Sequence, residues 1–276
     1  MTKESTTITD PTLLTVSHRR SLRDRIRWAI QDTTTMTWRD IVRTQRQPEM
    51  LTFGVIMGVF FLLLFYWVFG GAIAAGTGVD YLQYLVPGIF MITALTGAQQ
   101  TGTGLAMDLS EGVTDRFRSL PMSQVAVIGG RTVADSIRNV AAVVLVVVVG
   151  YVLGFRFATV GGALGAIALA VGLGYAFSWA NGAIAAKVRN AEIVGMLSMF
   201  WLFPLMLAST IFTPAAQMPG WLQGFAAWQP ISVVGEAARK LSNGIPAGDD
   251  VLWSIVWIVL ILVVSVPLAI AAYRKP

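Results

Sequence analysis

IVGMLSMFWLFPLMLASTIFTPAAQMPGWLQGFAAWQPISVVG, residues 193–235, decides how often this chain crosses a membrane. The stretch is uncharged and long enough for two crossings, since each needs about 20 apolar residues to cover about 30 Å of hydrocarbon. Pro204, Pro214, Pro219 and Pro230 argue against the second crossing. Proline removes a backbone donor, and hydrocarbon tolerates the break only where protein or water satisfies the freed carbonyl. Trp221 and Trp228 suit the headgroup belt better than the bilayer centre. The region therefore reads as one crossing over residues 193–213. Short helical pieces across 214–230 then dip into the outer face and return.

Five further apolar runs lie around it: 51–75 with FFLLLFYWVF, 84–107, a run within 125–155 centred on VAAVVLVVVVGYVLGF, 158–186 and 251–273. The expectation is an all-α integral membrane protein with six transmembrane helices. Of its 276 residues 55% are hydrophobic and 13% charged, against about 25% charged in a soluble domain. There is no cysteine, which excludes disulfides and thiolate metal sites. Residues 1–46 are polar and basic, so no cleavable signal peptide is expected and the first apolar run is itself a span.

The net charge of +5 sits at the edges of apolar runs, which points to membrane orientation and not to nucleic acid. With six spans, 17 Lys and Arg fall on the side of the termini and 3 on the other. The positive-inside bias then puts both termini and residues 108–124 in the cytoplasm of a cell (inner) membrane protein. A seventh span would send Arg274 and Lys275 outside. Residues 1–35 read as a basic cytoplasmic tail, with its first 17 residues disordered, and 36–276 as the six-span domain.

The parts needed for catalysis are missing. There is no GxxxxGK[ST] phosphate loop and no HExxH, and the single histidine, His18, lies in the polar tail. No catalytic residue, metal site or cofactor is expected in this chain, so energy must come from an ion gradient or a partner. The span cores lack the carboxylates that ion-coupled carriers place there. The charged residues nearest a core are Arg131, Asp135 and Arg138. Their i,i+4 and i,i+3 spacings put them on one helix face, which suggests a structural ion pair.

Two polar regions look like attachment points. Residues 108–124, DLSEGVTDRFRSLPMSQ, form an island between uncharged runs. Ser110 or Thr114 can cap about two helical turns, and Pro121 ends them. Phe117 and Leu120 lie on one side with Arg116 and Arg118 flanking, a pattern suited to protein docking. Upstream, RRSLRDRIR (19–27) and WRDIVRTQR (38–46) interleave arginines with apolar residues, as an interfacial amphipathic helix does. The aromatic run Phe60, Phe61, Phe65, Tyr66 and Trp67 reads either as a cavity lining for apolar, polyaromatic or lipid cargo or as lipid-facing surface.

EGVTDRFRSLPMS (111–123) followed by GGRTVADSIRN (129–139) resembles the signature of type-2 ABC exporter permeases, especially bacterial daunorubicin-resistance-type drug and lipid exporters. RDIVRTQRQPEML (39–51) resembles that family's connecting helix, and MPGWLQGFAAWQPISVVGEAARKLSNG (218–244) its extracellular segment before the last span. The resemblance implies that Glu111, Asp115, Arg116, Phe117, Arg118 and Pro121 belong to a coupling helix docked on an ABC ATPase subunit. Trp38, Arg39, Ile41, Arg43 and Arg46 would belong to the connecting helix. It further implies paired ATPase subunits carrying ATP and Mg, a second permease (a copy or a relative), and a hydrophobic drug or lipid as cargo. The cargo path would be lined by the first, second and fifth spans and roofed by residues 214–244. A polysaccharide or lipid-linked glycan exporter, an ion-driven carrier and a cargo-free scaffold remain the alternatives.

Overall fold

The computed structural model describes residues 49–77, 80–110 and 124–274. Every regular element among them is helical: α1 (Glu49–Thr77), α2 (Tyr81–Ser110), α3 (Gln124–Leu153), α4 (Val160–Val188), α5 (Ala191–Leu207), a 3-10 turn (Ala215–Gln217), α6 (Gly220–Trp228), α7 (Pro230–Ser242) and α8 (Gly248–Arg274).

Local chemistry sets the helix starts. Asp80 accepts from the Leu82 N–H at 3.0 Å ahead of α2. Thr159 Oγ1 accepts from the Gly162 N–H at 3.0 Å and caps α4. Asn190 Oδ1 accepts from the Ile193 N–H at 3.1 Å and caps α5. Each side chain satisfies a donor that the first helical turn leaves free. Since α4 ends at Val188 and α5 starts at Ala191, the link is so short that the two helices fold back on one another. Pro230 opens α7, where its missing N–H costs nothing.

α2 is the central helix. It packs most extensively on α4 and also touches α3, α1, α5 and α7. Its Leu85, Ile89, Phe90, Ile92 and Leu95 are wholly buried with Val146, Phe155, Leu173 and Ile231. A smaller cluster nearer the other end of α2 joins Leu105 and Ala106 to Trp179, Val194 and Tyr273. α8 lies against α4 and α7, and its Leu260, Val263, Val264 and Leu268 are exposed. Apolar exposure of this kind suits lipid contact. Lipid tails are as apolar as leucine, so close packing and polar contacts must hold the bundle together.

Among the described residues, four stretches are long and apolar enough to cross a membrane: Tyr81–Ser110, Gly129–Leu153, Val160–Val188 and Gly248–Tyr273. Ile56–Gly71 is an apolar stretch inside the 29-residue α1, and α5 (Ala191–Leu207) is apolar but shorter. The crossing expected over 193–213 ends as a helix at Leu207, with Pro204 inside its last turn. The backbone can leave the helix here because Gln229 Nε2 donates to the carbonyls of Leu205 and Ala208 at 2.9 and 2.8 Å. Beyond it the 3-10 turn and α6 are three and nine residues long, too short to cross, and Trp221 and Trp228 are exposed.

Candidate functional site

A groove with a volume of about 220 Å³ opens between α1, α2 and α5. α1 contributes Met57, Phe61 and Phe65, α2 contributes Leu95, Thr96 and Gln99, and α5 contributes Met199, Leu202, Phe203, Met206 and Leu207. Phe212, just past α5, closes one end and stacks on Phe65 with centroids 4.0 Å apart. No charged residue lines it. Its polar groups already have partners: Thr96 Oγ1 donates to the Ile92 carbonyl at 2.8 Å, and Gln99 Nε2 to the Gly195 carbonyl at 3.2 Å. The remaining wall is aromatic rings, aliphatic chains and methionine thioethers, which adapt their shape to irregular apolar guests.

The expected aromatic lining divides. Phe61 and Phe65 line the groove. Tyr66 and Trp67 border a separate recess with Gly70, Gly71, Asp80, Tyr81 and Leu82. Phe60 is half exposed and lines neither. The sequence reading passed over Met57, Gln99, Met199, Phe203 and Phe212. Gln99 carried a signal, as an amide in the polar stretch AQQTGTG of an otherwise apolar run. The α5 residues carried none, because a uniformly apolar helix does not reveal which face meets a neighbour.

A charge cluster lies at the Ser110 end of α2. Asp135 pairs with Arg138 and sits 3.9 Å from Arg131 Nε, so the three residues of the sequence motif are together. Arg131 also pairs with Asp108 of α2, a partner the sequence reading had left in the polar island. Asp135 is the most deeply buried of the four, with a side chain 4% exposed. The guanidinium of Arg131 lies across Gly104, where any Cβ would collide with it. Two arginines and two aspartates balance, which makes burying the cluster tolerable. Among the described residues no group of three or more His, Cys, Asp or Glu is placed to hold a metal.

The Asp108–Arg131 pair spans the base of the segment between α2 and α3. Glu111, Asp115, Arg116, Phe117, Arg118 and Pro121 of that segment lie outside the described residues. So do Trp38, Arg39, Ile41, Arg43 and Arg46.

Residues 31–242 match the family model of the ABC-2 type transporters. The chain is similar to the daunorubicin resistance ABC transporter permease protein DrrB1 of Streptomyces coeruleorubidus, with 35% identity over 90% of this chain and 87% of that protein. It is also similar to the probable doxorubicin resistance ABC transporter permease protein DrrC of Mycobacterium tuberculosis, with 27% identity over 89% of each chain. A putative transport permease, ycf38, of Cyanophora paradoxa is 24% identical over 77% of this chain and 74% of its own length.

Proposed function

This chain belongs to the ABC-2 type transporter family as a multi-pass membrane permease subunit, and on that premise we propose that it exports a hydrophobic drug through the groove between α1, α2 and α5. Membership implies an ABC ATPase as a separate partner. The observation that carries the cargo reading is a charge-free, aromatic and methionine-lined groove in a chain similar to two anthracycline-resistance permeases. Such a wall accepts the flat apolar ring system of a drug, and any amine the drug carries stays outside it.

Six crossings, with both termini and residues 108–124 in the cytoplasm of the plasma membrane, are the topology that fits the Lys and Arg distribution. α1 and α5 complete the count as spans beside the other four apolar helices. α6 and α7 then dip into the outer face. The permease works as a pair, with a copy of itself or a relative, on paired ATPase subunits that bind ATP and Mg. Glu111, Asp115, Arg116, Phe117, Arg118 and Pro121 form the coupling helix, and Trp38, Arg39, Ile41, Arg43 and Arg46 the connecting helix beside it. Closure of the ATPase pair moves the coupling helix. The Asp108–Arg131 pair then makes α2 and α3 respond as one body.

The test is ATP-dependent movement of daunorubicin in proteoliposomes holding this chain and its ATPase. Phe117→Ala and Arg118→Glu are expected to lower transport about tenfold or more, the factor given by losing one anchoring contact at a docking surface. Membrane insertion should be unchanged. Normal transport together with normal ATPase capture in both variants would refute the coupling role. Transport driven by a pH gradient without the ATPase would refute the mechanism.

A further inference from the structure

We propose that Arg239 of α7 is a positioning residue that latches the Phe212 end of the groove shut, by holding the non-helical segment 208–213 against α2. The latch rests on the groove reading above, but its geometry stands apart from the identity of any cargo.

Past Leu207 the last helix-type bonds are those of the Ala208 and Ser209 N–H groups to the Pro204 and Met206 carbonyls; beyond them the chain turns across the end of the groove and its backbone needs partners from elsewhere. Five neighbours supply them. Gln229 takes the carbonyl of Ala208. Ser232 Oγ accepts from the Thr210 N–H at 3.0 Å. Tyr84 Oη donates to the Thr210 carbonyl at 2.6 Å, and Tyr81 Oη to the Phe212 carbonyl at 3.2 Å. Arg239 Nη2 also donates to the Thr210 carbonyl, at 3.0 Å.

Arg239 is the hub of this arrangement. Its Nε donates to the Tyr84 carbonyl at 3.0 Å, its Nη1 pairs with Glu236, and its Cζ sits 3.7 Å from the centroid of the Tyr84 ring. The side chain is 7% exposed. One planar guanidinium thus joins three elements: α7, which carries it; α2, through the Tyr84 carbonyl and ring; and the segment that carries Phe212. Lysine offers a point donor without the flat fork that meets two carbonyls and a ring together. The segment also lies flat on α2 because residue 88 has no Cβ: one built there would fall 2.7 Å from the Ile211 carbonyl oxygen. A methyl group at 88 is therefore a wedge under the latch that touches no charge.

The functional reading follows from what the segment carries. Phe212 stacks on Phe65 and walls the groove. Any displacement of 208–213 away from α2 withdraws that ring and opens the groove at this end. The contacts that oppose the displacement are directional polar bonds to 208–213, two of which meet at the Thr210 carbonyl, together with the buried Ile211 side chain. Arg239 is the one donor among them that also bonds the main chain of α2, so its loss frees the segment from α2 and α7 together.

The chain has no cysteine, so Thr96→Cys places a single thiol on the groove wall. The full chain in lipid nanodiscs would be treated with a water-soluble maleimide and the labelling rate measured. Arg239→Gln and Gly88→Ala should each raise the rate about tenfold, as expected when a local opening loses its main restraint. Arg239→Lys should fall between these and the parent, and Lys240→Gln, beside the latch but outside it, should leave the rate unchanged. Parent-like rates in both Arg239→Gln and Gly88→Ala, in protein that elutes as the parent does, would overturn the latch. If Arg239→Gln does not insert, Gly88→Ala alone decides. Faster labelling without daunorubicin export by the parent complex supports the latch and refutes the cargo assignment. Faster labelling with export lost and ATP hydrolysis retained supports both.

Discussion

At one end of α2, Asp108 meets Arg131, and Arg131 and Arg138 share Asp135. At the other end, Arg239 reaches the carbonyl of Tyr84 in α2 and the carbonyl of Thr210 beyond α5. Both ends use a largely buried guanidinium to tie α2 to its neighbours. They differ in the acceptor that joins the elements, which is a carboxylate at the Asp108 end and the main chain at the Tyr84 end, where the Glu236 carboxylate pairs with Arg239 only within α7. A side-chain acceptor can be removed together with its donor, leaving no orphaned charge. A backbone carbonyl is present whatever residue stands there, so no second substitution can compensate for the lost donor.

The largest expected effect is at Arg239. Arg239→Gln takes a charged donor from two carbonyls, a loss of about 3 kcal/mol or more at roughly 1.5–3 kcal/mol for each such bond, and leaves Glu236, whose side chain is 44% exposed, to solvent. Adding Glu236→Gln should restore little of it, measured as the thermal midpoint of the purified full chain. Full recovery in the double variant would mean that the carbonyl bonds contribute nothing and that both ends of α2 are alike. The Asp108 end should show a smaller loss and a real recovery. Arg131→Gln is expected to cost about 1.5–3 kcal/mol, the range for hydrogen bonds to charged groups, and Asp108→Asn in the same chain should return part of it. A double-mutant cycle with strictly additive losses would break the comparison from this side.

The smallest effect sharpens the same contrast, because it concerns an ion pair outside the packed bundle. Lys240 pairs with Asp250, and both side chains are about one-third exposed (34% and 33%). Such a pair contributes at most about 1 kcal/mol and is weakened by salt. The hydrogen bond to Asp250 is the main cause that raises Lys240 above its ordinary amine value. A raised amine contributes stability that is present below its unfolded pKa of about 10.4 and lost as pH climbs through the higher folded value. Lys240→Gln should therefore lower the thermal midpoint by the same small amount at every pH from about 6 to 9. A difference that grows toward pH 6 would mean another group controls this corner.

The helices were largely legible in the sequence, and their partners were not. The expected runs at 51–75, 84–107 and 251–273 each fall inside a helix that extends two or three residues further at each end, apart from the single residue past Tyr273. The fifth run was drawn too long, to 213, because Ser209–Thr213 is as apolar as a helix end and nothing local shows that Gln229 would take over its carbonyls. Arg131, Asp135 and Arg138 could be grouped because they share one helix. Asp108 escaped because its partner lies 23 residues away across a polar segment. Arg239 and Tyr84 are 155 residues apart, and their link involves a backbone acceptor that no residue pattern advertises. The aromatic run could not be sorted either, since Phe60, Phe61, Phe65, Tyr66 and Trp67 are all large aromatic residues and only the neighbours of α1 distinguish groove, recess and exposed surface.

By itself the sequence determined that this chain is a helical membrane protein with its charge gathered at the edges of apolar runs. Those properties depend on how the chain partitions between water and hydrocarbon, a preference each residue carries locally and the bilayer thickness converts into helices. The tertiary structure alone decided which faces of α1, α2 and α5 enclose a groove and which carbonyls meet Arg239. Inside a bilayer every apolar face is equally content against lipid or protein, so hydrophobicity cannot choose among them. Shape and a few polar contacts between residues far apart in the chain make that choice.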